Sequence, residues 1–174
     1  MMCLVHPSLS YANEIMAYRS ESLELDPVIN GSCDLSTYED PAAWIAHCEV
    51  LSDPETLPAD CVEADEWLTV NDDQRILGMV NIRRHIRHDF LAEYVGHIGY
   101  SIRPSERGRG YAELQLRLAL AKCRELGLTA VLLTCDADNE SSRRTILSCG
   151  GVFERTAIQT QQMPQPRLRY WISL

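Results

Sequence analysis

Apolar residues recur along this chain with two different periods, and the switches between them mark out its elements. Between Leu9 and Leu25 the positions Leu9, Ala12, Ile15, Met16, Tyr18 and Leu23 fall at roughly helical spacing, with Ser10 placed to cap. Asp40 followed by Pro41 sets the start of a second helix that runs to Leu51: a first-position proline gives up no hydrogen bond, and the acid before it accepts from free amides. Asp53 to Asp60 holds two prolines and several acids and reads as a loop. Trp67 and Thr69, with Val62 ahead of them, then open an extended stretch. Asn71-Asp72-Asp73-Gln74 makes a turn and Ile76 to Ile82 returns, which predicts a hairpin. After the polar run Arg83 to Asp89, Tyr94 to Ile102 predicts a third strand of an antiparallel meander.

The helical period comes back between Arg109 and Leu126, where Leu116, Ala119, Leu120, Cys123 and Leu126 share one face and Gly127 occupies the position that ends a helix. Leu128 to Cys135 is an almost unbroken apolar run, the pattern of a central strand covered on both faces, and with the preceding strand and helix it predicts a right-handed βαβ unit. Ser141 to Ser148 predicts a short helix ended by Gly150-Gly151. Val152 to Gln159 and Arg167 to Leu174 predict a last hairpin across Met163-Pro164-Gln165-Pro166. The expected fold is α/β of the α+β type: one domain over residues 1–174, with a mixed, mostly antiparallel central sheet of about six to seven strands and helices on both faces. A chain of this size buries on the order of 70% of its unfolded surface.

Composition narrows the function. No basic leader and no stretch of 18 apolar residues occurs, so a soluble, cytoplasmic protein without a membrane partner is expected. Seven scattered cysteines, odd in number and never in a Cys-x-x-Cys pair, read as reduced thiols. The net charge of −9 is unevenly spread: up to Arg75 there are 16 acids against 2 arginines, and beyond it 9 acids against 14 basic residues. That balance argues against nucleic acid and suits an anionic cofactor in the C-terminal portion, while the acidic N-terminal portion suits a cationic acceptor such as an amine. His85 and His88 lack a third ligand at supporting spacing, so no metal is expected. The last strand, apolar at Tyr170, Trp171 and Ile172, suggests an edge covered by a second copy, a homodimer.

The chemistry concentrates at Arg103-Pro104-Ser105-Glu106-Arg107-Gly108-Arg109-Gly110-Tyr111-Ala112, where the third strand runs into the long helix. Glycines at a helix mouth let a ligand approach free amides at the positive end of the helix dipole, and arginines add charge for a diphosphate. A dinucleotide fingerprint needs glycine where Glu113 stands, and a P-loop needs lysine where none occurs. Arg107, Gly110 and Ala112 instead satisfy Arg-x-x-Gly-x-Ala. Together with the lead-in Tyr100-Ser101-Ile102-Arg103-Pro104, with Asn139-Glu140-Ser141-Ser142, and with Gly150, this resembles the GNAT superfamily of acyl-CoA-dependent N-acyltransferases from about Tyr94 to Phe153.

The resemblance implies a GNAT-like fold, acetyl-CoA as acyl donor, and direct attack of a primary amine of a small molecule or protein on the thioester in a ternary complex. It also implies that Ile102 and Arg103 hold the pantetheine through their backbone groups. Arg107, Gly108, Arg109, Gly110, Tyr111 and Ala112 would hold the diphosphate, and Asn139 the cofactor through its amide, although Asn139 equally fits an Asx cap on the following helix. For the proton transfers His97, Glu93 and Tyr100 are the candidates; His97 titrates near neutrality but lies on the wrong strand face unless a bulge shifts the register. Many family members carry a tyrosine seven residues after the Asn, where this chain has Ile146. A non-catalytic acyl-CoA-binding or sensing module is therefore the alternative, with a Rossmann-type nucleotide protein behind it.

Overall fold

The hairpin pattern of residues 64–83 forms the centre of a four-stranded antiparallel sheet in the computed structural model, which describes residues 1–174. Strand β1 (Met2–Val5) lies at one edge and pairs with β2 (Ala64–Asn71); β2 pairs with β3 (Ile76–Arg83), and β3 with β4 (Ile98–Ile102). Strands β5 (Ala130–Asp136), β6 (Val152–Thr156) and β7 (Arg167–Ser173) form a second antiparallel sheet in the order β5-β7-β6. The four longer helices are α1 (Ala12–Leu23), α2 (Pro41–Ser52), α3 (Tyr111–Glu125) and α4 (Glu140–Ser148).

Helices cover both faces, as expected, and each face has its own core. On one side Ile15 and Tyr18 of α1 and Trp44 and Ile45 of α2 pack with Leu68, Val70, Ile76 and Met79. On the other, Leu116, Ala119, Leu120 and Cys123 of α3 meet Val80, Ile82, Ile98, Val131, Leu133 and Ile146. This double cover makes β2 and β3 almost wholly buried along their lengths. Two large buried side chains have polar partners: Trp44 Nε1 donates to Ser32 O at 2.8 Å, and Tyr18 Oη lies 2.8 Å from Ser101 Oγ. Asp40 caps α2 through the Ala42 amide, with Pro41 at its first position. At the end of α3 the amides of Gly127 and Leu128 turn back to Arg124 O and Cys123 O.

Four expectations are corrected. Four-residue β1 was too short to show a period. Ser10 caps nothing, because Leu9–Tyr11 is a separate turn and α1 starts at Ala12 without a side-chain cap. Residues Leu91–Val95 form a π-helical turn, so the third strand begins at Ile98 rather than Tyr94. Finally, β7 is an inner strand covered by β5 and β6, so its apolar residues meet their own chain rather than a second copy.

The expected βαβ unit forms no parallel ladder, and its two strands are joined at one end only, by an antiparallel bridge. Gly96 bridges Leu133, and the His97 amide donates to Leu132 O at 2.8 Å; beyond that point β4 and β5 form no ladder. Gly96 is required at this crossing. Its φ is +79°, and a Cβ there would stand 2.4 Å from Leu132 O.

Leu116 is fully buried where α3 meets the sheet. Leu116→Ala is expected to cost about 2–5 kcal/mol, read as a lower urea midpoint at unchanged slope.

Candidate active site

The turn that feeds α3 leaves a run of backbone donors without acceptors. Gly108 and Gly110 have φ of +77° and +82°, a region that side chains disfavour, and a Cβ on either would meet nothing within 4 Å, so the space before them is open. The amides of residues 108–113 donate to no carbonyl and no side chain; the first that does is Leu114, to Gly110 O at 3.4 Å. Acids nearby are neutralised. Glu106 is paired with Arg75 at 3.2 Å and with Arg109 at 3.1 Å, and Glu113 with Arg117 at 2.8 Å. Arg107 has no carboxylate partner, and its Nε donates to Ile102 O at 3.1 Å. A cluster of free amides beside an unpaired guanidinium is a site for an oxyanion.

The open edge of β4 leads to this cradle. The Arg103 amide donates to Leu77 O and the Arg83 amide to His97 O, both at 2.8 Å. With antiparallel alternation, Ile98, Tyr100 and Ile102 then turn their amides and carbonyls toward β5, whose ladder is with β7. A cleft of about 950 Å³ follows, with Ile98, Tyr100 and Ile102 on one wall, Thr134 and Cys135 on the other, and the cradle at its end.

Within this frame the candidates separate. Ile102, Arg107, Gly108, Gly110, Tyr111, Ala112, Tyr100 and Asn139 line the cleft. Asn139 Oδ1 accepts from the Ser142 amide at 3.0 Å, so it does cap α4, and its amide nitrogen is left for the cleft. Tyr100 Oη lies 3.0 Å from Ser142 Oγ, and burial pushes the phenol up to about 12. Arg109 is turned away to Glu106, leaving only its amide in the cradle.

Arg103 is a correction. Its amide is used within the sheet, and its guanidinium is buried against Glu14 at 2.9 Å and Glu21 at 2.6 Å, so it fastens β4 to α1. His97 is another. It is buried, and its Nδ1 accepts from the Leu132 amide at 2.9 Å, which fixes the neutral ring with its proton on Nε2 and leaves no lone pair for a substrate. Burial first, then the charges of Arg83 and His85, lower its pKa to about 4. No bulge turns it into the cleft; it is buried as a clip between β4 and β5. Glu93 is the third: Arg155 at 2.7 Å, the Ile158 amide at 2.7 Å and Arg169 hold it near a pKa of about 2, too weak a base to take an amine's proton. It lies with Phe90, Tyr94 and Ile158 in a separate depression. Asp26, Asn30 and Arg83, which also line the cleft, carried no mark in the sequence; they stand in the α1–α2 connection and at a strand end, outside any motif.

Comparison with known proteins settles the family. Residues 3–152 match the model described as Acetyltransferase (GNAT) domain. The chain belongs to the GNAT acetyltransferase family. No curated protein sequence matches it. Among solved structures it is similar to a ribosomal-protein-S5-alanine acetyltransferase from Vibrio fischeri, with 17% identity over 99% of this chain and 91% of the other and a TM-score of 0.69. It is similar too to a microcin C7 self-immunity acetyltransferase in complex with acetyl-CoA and AMP, with 18% identity over 99% and 92% of the two chains and a TM-score of 0.68. A spermidine N-acetyltransferase chimera from Vibrio cholerae and hSSAT aligns at 15% identity over 99% and 94%, with a TM-score of 0.68. These structures share the GNAT fold with this chain, and that fold uses acetyl-CoA. No helix is long and apolar enough to cross a membrane.

The depressed His97 pKa has a definite sign. Between pH 6.5 and about 4 the unfolded chain binds a proton that the folded chain refuses, so this stabilising contribution is complete above pH 6.5 and is lost as pH falls through that window. Urea midpoints at pH 7 and pH 5 are expected to differ less in His97→Gln than in the parent.

Proposed function

We propose that this GNAT enzyme transfers an acetyl group from acetyl-CoA to a primary amine by direct attack in a ternary complex. The observation that carries the reading is the row of six unsatisfied amides, residues 108–113, at the end of an unpaired strand edge. Those amides and Arg107 fit a diphosphate. The free edge groups of Ile98 and Tyr100 suit the amides of an extended pantetheine chain, and the Asn139 amide is left to donate. When bound, acetyl-CoA supplies a thioester carbonyl whose thiolate is the leaving group.

Tyr100 is the proton donor in this proposal. A phenol whose pKa is pushed to about 12 stays protonated at working pH, so it can give a proton to a departing thiolate and cannot serve as a base. Its position on β4, held by Ser142 of α4, would take over the role that many relatives assign to a tyrosine at the position of Ile146, which here is buried in the core. With His97 and Glu93 committed elsewhere, water takes the proton from the attacking amine.

Two measurements test the reading. Calorimetry is expected to give acetyl-CoA binding that weakens about tenfold in Arg107→Ala, a loss of about 1.4 kcal/mol. Tyr100→Phe is expected to lower kcat by about ten- to a hundredfold with acetyl-CoA affinity unchanged. Tight acetyl-CoA binding with no thiol release across a broad amine panel would favour a sensing module; no binding at all would sink both.

A further inference from the structure

Two guanidinium groups in the cleft lack a carboxylate partner, and they stand at opposite ends of β4. Arg144 and Arg167, which also line it, are paired with Glu140 and Asp136. Arg107 belongs to the cradle. The other is Arg83, the last residue of β3.

The backbone of Arg83 is fixed by the bond from its amide to His97 O. Its side chain lies over β4 at Gly99, where a Cβ would come within 3.8 Å of Nη1. The only acceptor it finds in the protein is Gly96 O, 3.4 Å from Nη1; Nε and Nη2 have none. Arg83 is half-buried, and most of its donors are free to meet a ligand that enters the cleft. No carboxylate pairs with it within 4 Å. Glu66 and Asp34 are the acids whose charge reaches it, Glu66 more strongly. Glu66 shares this face of the sheet through the Glu66, Asn81 and Gly99 register, but it is fully buried with both oxygens unpaired and makes no ion pair with Arg83; burial, first of all, raises its pKa well above the usual carboxylate range. Asp34 is exposed in the α1–α2 connection. Arg83 thus lines the cleft without an ion-pair partner, together with Asp26, Asn30 and Gly31, and its bond to His97 puts it at the end of β4 away from the cradle that follows Ile102.

Resting on the acyltransferase reading above, we infer that Arg83 recognises the acceptor, and that the amine this site acylates carries a carboxylate of its own, as an amino acid does. A planar fork of N–H donors matches a carboxylate in two parallel bonds. One unpaired cation balances one negative charge. A phosphate would bring nearly two, an excess that Asp26, another residue of the cleft lining, opposes. A polyamine would set further positive charge against Arg83. The acidic N-terminal portion of the chain, which on composition alone suits a cationic acceptor, spends Glu14 and Glu21 on Arg103 and Asp65 on Arg84, away from the cleft.

The test measures thiol release from acetyl-CoA with the twenty amino acids, each matched to its carboxamide, and with spermidine, for the parent enzyme, Arg83→Gln and Arg83→Lys. Acetyl-CoA affinity is measured in parallel for all three. The carboxamide amines lose their protons more readily, so uncatalysed reactivity favours them, and a preference for the free acid must come from the site. The expected result is acetylation of at least one amino acid with kcat/KM at least tenfold above that of its carboxamide. Arg83→Gln should abolish the preference by raising KM for the acid, with acetyl-CoA affinity intact, and Arg83→Lys should restore part of it. Spermidine or carboxamides used as well as the acids would overturn the inference. So would an equal effect of Arg83→Gln on acid and carboxamide, or a parent enzyme that binds acetyl-CoA and acetylates no amino acid. Absence of acetyl-CoA binding by the parent would remove the acyltransferase reading and this inference together.

Discussion

The interaction on which this structure turns is one that stops short: β4 meets β5 at Gly96 and His97 and then diverges. Continuous pairing of β4 with β5 would satisfy the main-chain groups of both strands and leave none for a ligand. Here the crossing is pinned by two hydrogen bonds to Leu132, one from the His97 amide to its carbonyl and one from its amide to the His97 ring. Beyond the pin each strand keeps its outer partner, β3 or β7, so the sheet is held rigid on either side of the gap. The cleft is therefore part of the sheet architecture rather than a depression on its surface, and its walls carry the unpaired main-chain donors and acceptors that extended amide-bearing ligands need.

Charge is arranged to serve the same opening. The arginines around the cleft are mostly neutralised in place: Arg103 by two glutamates of α1, Arg109 by Glu106, Arg167 by Asp136. Such pairs between partly buried groups add little net stability, but they fix where positive charge is absent. The positive charge that remains uncompensated is small in amount and specific in place, one guanidinium at each end of β4. An anionic cofactor and an acceptor thus meet different fields within a single cavity.

Much of this was legible in the sequence, for physical reasons that differ by element. The long helix and its cradle could be read because glycine with positive φ, a helix mouth and an amphipathic stripe each leave local marks. The hairpin and the Asp40-Pro41 cap were equally local. What escaped depends on contacts between distant segments. His97 titrates near neutrality as a free side chain, and nothing in its neighbours in sequence reveals that Leu132 will claim its lone pair. Glu93 looks like any strand-end acid until Arg155 and Arg169 arrive from the last hairpin. Arg83 and Asp26 sit at element ends, where periodicity stops carrying information. Strand β7 has the apolar surface of a covered strand, but which neighbour covers it is a question of topology.

That topology has a consequence for how the molecule is made. Strands β5 and β6 never touch as a ladder; β7, synthesised after both, slots between them and pairs with each along its length. Until residues 167–173 have left the ribosome, the two earlier strands present bare edges, and one of them also forms a wall of the ligand cleft. The nascent chain can complete its first sheet and that sheet's helices early, but the binding gap acquires its second rigid side only in a late, long-range closing step.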